Sequence, residues 1–275
     1  MGRIALIPIE NSLKPLGFSF VSSVLCNSEA WYNITNAELE YLETANLMLL
    51  RKILNAPRST PKEMLFLELG CIRSRDIIKQ RRLLYLHYIL NEPIDSMIHK
   101  FLIIQLKSRN KKDWVTTVLK DLEELEIGLN FEEIRSMKKS MFQRIVKESV
   151  KAYAFKSLEK QKLSHSKVKD IKHKMLEIRT YFLPNEIKAT KEEIQTIFKL
   201  RCRMTELKTN MKGIYNTYEC PLCGVEDTQI HILQECSAIE NMSKNKTEEH
   251  KYEMLYENEA GKSTDRNDKK VYNKF

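Results

Sequence analysis

Three cysteines and one histidine near the end of this 275-residue sequence have types and spacing suited to metal chemistry. Cys220-Pro-Leu-Cys223 sets two thiols on one tight turn, seven residues separate Cys223 from His231, and four separate His231 from Cys236. Three thiolates and an imidazole complete a tetrahedral shell for zinc and leave no position for water. A closed shell of this kind holds structure and cannot generate a hydroxide nucleophile. The expected cofactor is therefore one structural Zn2+ per chain on Cys220, Cys223, His231 and Cys236, with Ile230, Ile232 and Leu233 packing the segment that carries the histidine against the knuckle. Cys26, Cys71 and Cys202 lie singly in apolar or helical sequence and read as small buried hydrophobes. Six cysteines in so lysine-rich a chain do not make a disulfide framework. His87, His99, His165, His173 and His250 have no comparable neighbours in sequence and are assigned no chemistry.

The second chemical feature is a run of positive charge. From Arg135 to Arg179 fourteen Lys or Arg face four acids, which accounts for the whole net charge of +9. Phe142, Val146, Val150 and Tyr153 form an apolar stripe on a helix through residue 150, with Arg144, Lys147 and Lys151 on the opposite face. Such a face suits phosphate contacts in RNA or DNA and equally suits a solvated surface; Lys156 and Lys160 flank the stripe and snorkel.

These groups must be held by helices. Gly and Pro are scarce, seven of each, while Leu, Ile, Lys and Glu dominate. The expected fold is mainly α: a helical bundle followed by a small zinc knuckle and a disordered polar tail. Thr35 with Glu38 and Thr190 with Glu193 are capping boxes, and Thr60-Pro61-Lys62-Glu63 reads as cap, first-turn proline and acid at the third position, with Gly70 ending that helix. The periodicity predicts further helices over about 74–90, 95–108, 114–126, 131–162, 167–182 and 191–208. The domain reading is residues 1–34 as a lead, 35–210 as the helical domain, 211–240 as the knuckle and 241–275 as the tail; the eight bases and eight acids from Ser237 to Phe275 carry no periodicity. The N-terminal apolar stretch, with Phe18 to Leu25 as a strand or buried helix, is broken by Pro8, Glu10, Lys14 and Pro15 and makes a poor signal peptide. No run of about eighteen apolar residues suggests a membrane span.

Several segments carry a resemblance. Leu25-Cys26-Asn27-Ser28-Glu29-Ala30-Trp31 resembles the Leu-Tyr-Gly-Ser-Glu-x-Trp signature that closes the palm in many non-LTR retrotransposon reverse transcriptases. Leu50-Arg51-Lys52-Ile53-Leu54, Thr60-Pro61-Lys62-Glu63, Leu67-Glu68-Leu69-Gly70 and Gln80-Arg81-Arg82-Leu83-Leu84-Tyr85-Leu86-His87 are similar to the thumb region that follows, and the knuckle to the family's downstream Cys-Cys-His-Cys motif. The order of motifs over about residues 20–236 is most like the clades with a restriction-like endonuclease. Arg73-Ser74-Arg75-Asp76 departs from the apolar, proline-containing stretch usual there. The resemblance implies a thumb-like region of a nuclear RNA-directed DNA polymerase and endonuclease, with RNA or DNA and an upstream polymerase region or chain as partners. No Asp-Asp pair supplies the family's metal-binding palm aspartates, so no catalytic residue is expected and the chain is expected to be inactive alone. A helical protein-interaction module stapled by zinc, and a non-functional relic of an element, stay open as alternatives.

Overall fold

The computed structural model describes residues 23–237, apart from 109–111, 184–189, 206, 211, 212, 215 and 230. Among these residues the chain is helical, with eight α-helices and no strand beyond two isolated bridges. They are α1 (Asn36–Leu54), α2 (Lys62–Leu69), α3 (Ser74–Asn91), α4 (Met97–Lys107), α5 (Trp114–Glu124), α6 (Phe131–Ser136), α7 (Lys139–Lys162) and α8 (Lys191–Arg201). No described helix is long and apolar enough to cross a membrane. The tail, most of the N-terminal lead and His250 lie outside the described residues.

Local chemistry sets most of the starts. Thr35 and Glu38 exchange bonds at the head of α1, and Thr190 and Glu193 do so at α8. Asn130 and Glu133 form a third capping box at α6. The α2 start differs from the sequence reading: Pro61 is the cap residue, Lys62 opens the helix, and the buried Thr60 hydroxyl has no hydrogen-bond partner. Gly70 ends α2 in the left-handed region at φ 62°, as its position suggests.

α3 is the central element, touching α1, α4, α5, α6 and α7. Its Arg82 grips Asp121 of α5 through two bonds of 2.7 and 3.0 Å and reaches the Trp31 carbonyl at 2.9 Å, joining the lead to two helices. One apolar core lies among α3 to α6 and the first half of α7, around Leu83, Leu86, Val118, Ile134, Phe142 and Val146. A second gathers α1, α2, the second half of α7 and α8, around Leu54, Leu65, Phe66, Leu158 and Phe198. α7 spans both.

Three helix expectations need correction. The helix predicted over 131–162 breaks at Met137 and Lys138, both extended, so that α6 and α7 are separate. Ile134 and Phe142 are both fully buried. Eight residues along one straight helix would turn them about 80° apart, and the break brings both to the same core. The freed Met137 carbonyl lies 3.0 Å from His87 Nε2. Second, α8 stops at Arg201, not 208, where Arg203 takes a left-handed φ of 53°.

Third, residues 167–182 do not form an α-helix but a strap of turns and extended backbone laid along α2, ending in a single 3-10 turn, Thr180–Phe182. Its periodic apolar residues are buried, Val168, Ile171, Leu176 and Phe182 among them, but in a different backbone. The cause is α2, in which every residue from Glu63 to Leu69 is at most 3% exposed and needs cover on all sides. The strap supplies that cover. It forms an antiparallel bridge between Leu69 and Ile178, and the Arg179 N–H donates to the Glu68 carbonyl at 3.1 Å.

Candidate metal centre and basic face

The knuckle is built from a hairpin-like turn. Glu219 and Glu226 form an antiparallel bridge, Gly224 N–H donates to the Cys220 carbonyl at 2.9 Å, and Gly224 adopts φ 79°, a conformation that favours glycine. His231 opens a single π-helical turn, His231–Glu235, and Cys236 follows it directly, its N–H donating to the His231 carbonyl at 2.7 Å. Thr228 Oγ accepts from His231 N–H at 3.1 Å and sets where that turn begins.

The result is that Cys220, Cys223, His231 and Cys236 bring their ligand atoms within 4.8 Å of one another, a cluster that could hold a metal ion. Cys223 Sγ lies 3.0 Å from His231 Nε2 and 3.9 Å from Cys236 Sγ. Tetrahedral ligands at about 2.0–2.3 Å from zinc would stand about 3.5–3.8 Å apart, close to this spread. The chemistry of the surroundings fits as well. Among the described residues from 207 to 237 the buried ones are Cys220, Asp227, His231 and Cys236, while Ile214, Leu222 and Val225 are more than half exposed. Among the described side chains of this segment, the thiol–imidazole cluster is the main buried group. Donation from the Leu222 N–H lowers the Cys220 thiol to about 7 against burial, with His231 and Cys223 helping. Of the three isoleucine and leucine residues expected to pack this unit, Ile232 is half-buried; the side chains of Ile230 and Leu233 lie outside those described.

Asp227 is a residue that sequence reasoning missed. Its buried carboxylate accepts the Lys208 N–H at 2.8 Å and its carbonyl accepts from Thr209 Oγ at 2.6 Å, while Gln229 Nε2 donates to the Leu200 carbonyl at 2.9 Å. These bonds fasten the knuckle to the end of α8 at Leu200 and to the 3-10 turn Lys208–Asn210 beyond it. A lone Asp four residues past a cysteine carries no sequence signal for that role.

On α7, Arg144 and Lys147 are exposed, Lys151 is half-buried, and Phe142, Val146 and Val150 are fully buried behind them. Tyr153, the fourth member of the expected stripe, is half-buried and packs on the same core, with Lys79 Nζ 4.6 Å from its ring centre. The fully buried row continues with its four-residue step through Ala154, Leu158 and Lys162. Lys156 and Lys160 are exposed as expected of flanking lysines. Two members of the basic run are engaged inside the protein, Lys162 at 1% exposure and Arg179 at 6%.

Those two lead to a polar cluster that the sequence did not reveal. Glu68, fully buried on α2, accepts two bonds from Arg201 at 2.8 and 2.9 Å and one from Tyr181 OH at 2.6 Å, and lies 2.9 Å from His173 Nε2. The other His173 nitrogen is 2.9 Å from Glu159, which also holds Lys162 Nζ at 2.8 Å. Burial alone would raise the Glu68 carboxyl, but Arg201 and then His173 outweigh it and hold it well below the usual range. His173 thus has charged partners, unlike its sequence reading. His165 stands 3.1 Å from Glu63, and His99 Nδ1 3.3 Å from the Ile89 carbonyl. Of the three lone cysteines, Cys202 is buried and Cys71 half-buried, but Cys26 is exposed.

No protein-family model matches this sequence, and neither the curated proteins nor the solved structures return a match.

Proposed function

We propose that this chain is a nucleic-acid-binding, thumb-like helical domain with a structural zinc knuckle, acting as the C-terminal part of a retrotransposon-type reverse transcriptase in the nucleus and carrying no catalytic centre of its own. The observation that carries it is the basic face of α7, where Arg144, Lys147 and Lys151 stand opposite a fully buried apolar row and next to no acid but Glu148 in the same two turns. Lysine and arginine on one rigid helix can follow a phosphate backbone and release its counterions. The Cys3His donor set favours zinc over hard cations, because thiolates are soft ligands and four of these groups close a tetrahedron.

The motif resemblance gains support from one local conformation. Asn27 occupies the glycine position of the palm-closing signature and has φ 55°, the left-handed region where Asn is the usual substitute for Gly. Arg81 then reaches back to the Leu25 carbonyl and to Ser28, and Trp114 Nε1 donates to the Glu29 carbonyl at 2.8 Å, so this segment is fixed on α3 and α5. An upstream polymerase region, on the same or another chain, is the partner this arrangement would serve.

The test is a titration of the purified chain with RNA and DNA duplexes at several salt concentrations. If three phosphates meet this face, replacing Arg144, Lys147 and Lys151 with Gln flattens the log–log salt slope by about 2–3, at roughly 0.9 per contact. All sequences weaken alike, since phosphate contacts position without specifying. An unchanged slope would make the face solvated surface and favour a protein-interaction module stapled by zinc.

A further inference from the structure

α4 is apolar nearly all round, as its sequence Met-Ile-His-Lys-Phe-Leu-Ile-Ile-Gln-Leu-Lys shows. A helix of this kind is normally buried on every side. Here only one side is covered: His99 and Leu102 are buried, with Ile98 packed on the same core. On the opposite side Ile94, in the turn before the helix, and Met97, Phe101 and Ile104 are 66%, 70%, 56% and 60% exposed. Steps of four and three residues align Met97, Phe101 and Ile104 as one stripe, which Ile94 precedes in the turn before the helix. Together these four residues expose on the order of 500 Å², the size at which a contiguous apolar patch on a single chain is usually functional.

We propose that this stripe is a homodimer interface in which α4 packs antiparallel on α4 of a second copy about a two-fold axis near Phe101. Area and charge both favour this occupant. The stripe exposes on the order of 500 Å² per copy, so pairing two copies covers about 1,000 Å² in total, the lower bound of a specific interface. The two ends of the helix carry opposite charges, exposed Asp95 before its start and exposed Lys107 in its last turn. Antiparallel apposition sets each Asp95 against the partner copy's Lys107, twice per dimer, whereas parallel packing would set like charges together. Phe101 lies midway between Asp95 and Lys107, so it meets its own copy at the axis. Lys100, on the flank near that axis, carries its charge out to solvent along its stem. A self-complementary patch of this kind closes as a dimer and does not propagate.

Sedimentation of the full chain, zinc-loaded and reduced, is the test. The wild type is expected to be dimeric at roughly 50 µM, and Phe101→Glu, which brings two carboxylates together at the axis, to weaken association by about 100-fold or more with its circular dichroism unchanged. Asp95→Lys alone and Lys107→Glu alone should each weaken the dimer by about tenfold, and the double exchange should restore it. Restoration is a result that mere misfolding of α4 cannot produce. A wild type that stays monomeric at that concentration, or a dimer indifferent to Phe101→Glu, overturns the proposal; the stripe would then belong to another surface, such as a different chain or residues 1–22.

Discussion

Glu68 shows how one side chain can be unreadable in sequence and decisive in structure. It sits among Met64, Leu65, Phe66, Leu67 and Leu69 on a helix with no polar face, and every partner of its carboxylate comes from more than a hundred residues away: His173, Tyr181 and Arg201. A buried carboxylate with two guanidinium bonds, a phenol and an imidazole is satisfied; the same group with one partner removed is not. Glu68→Gln leaves Arg201 buried without its counter-charge and should cost about 3–5 kcal/mol in urea unfolding at neutral pH. The pH dependence has a definite sign. Because the folded-state pKa is depressed, Glu68 contributes stability in full above the ordinary carboxylate range, and this is lost as pH falls below it. The wild type should therefore lose its advantage over Glu68→Gln progressively below about pH 4.5. A constant difference down to pH 2–3 would mean that the carboxylate is not ionised in the fold.

At the scale of elements, the strap over residues 167–182 and α2 determine each other. The contact is close enough that Gly70 has no room for a side chain: a Cβ there would lie 2.2 Å from the Ile178 nitrogen and 2.3 Å from the Glu177 carbonyl carbon. Gly70→Ala must strain a left-handed residue and displace the strap's backbone, a combined cost on the order of 3 kcal/mol. In a chain of this size the melting temperature should fall by about 6–12 °C. Gly128, with nothing within 4 Å of its Cβ position, is the control, and Gly128→Ala should leave the melting temperature within about 2 °C. Equal shifts in the two variants would show that strap and helix are not in close contact.

At the scale of the molecule, three apolar clusters carry the described helices and a thiol–imidazole cluster gathers the knuckle. The division predicts two steps of unfolding. A strong chelator, or Cys223→Ser, should melt residues about 215–240 and release the Asp227 and Gln229 tethers, while the helical body keeps its secondary structure. For zinc-finger peptides the metal contributes roughly 10–16 kcal/mol, so its loss removes most of what holds such a unit folded. Amide hydrogen exchange reads this directly: protection lost over the knuckle and kept in α3 and α7. One mole of zinc per chain should be released with it. Loss of protection throughout α3 would show that the knuckle is part of a single cooperative core.

The amino-acid sequence by itself determined what depends on neighbours along the chain. The capping boxes at Thr35 and Thr190 and the left-handed stop at Gly70 each involve a few adjacent residues. So do the helices with strong periodicity and the spacing of Cys220, Cys223, His231 and Cys236, whose ligand atoms come within 4.8 Å of one another and could hold a metal ion. Tertiary structure decided what depends on distant partners. The apolar period over 167–182 matched a helix, yet α2 needed cover and Glu68 needed donors, and those gains exceed the hydrogen bonds of an isolated sixteen-residue helix. The same applies to Lys162 and Arg179, charges that count toward a basic surface in sequence but are buried in the fold. It applies to the break at Met137, which lets Ile134 and Phe142 reach one core. Spacing along the chain reports a residue's local options, and only the packing of distant segments selects among them.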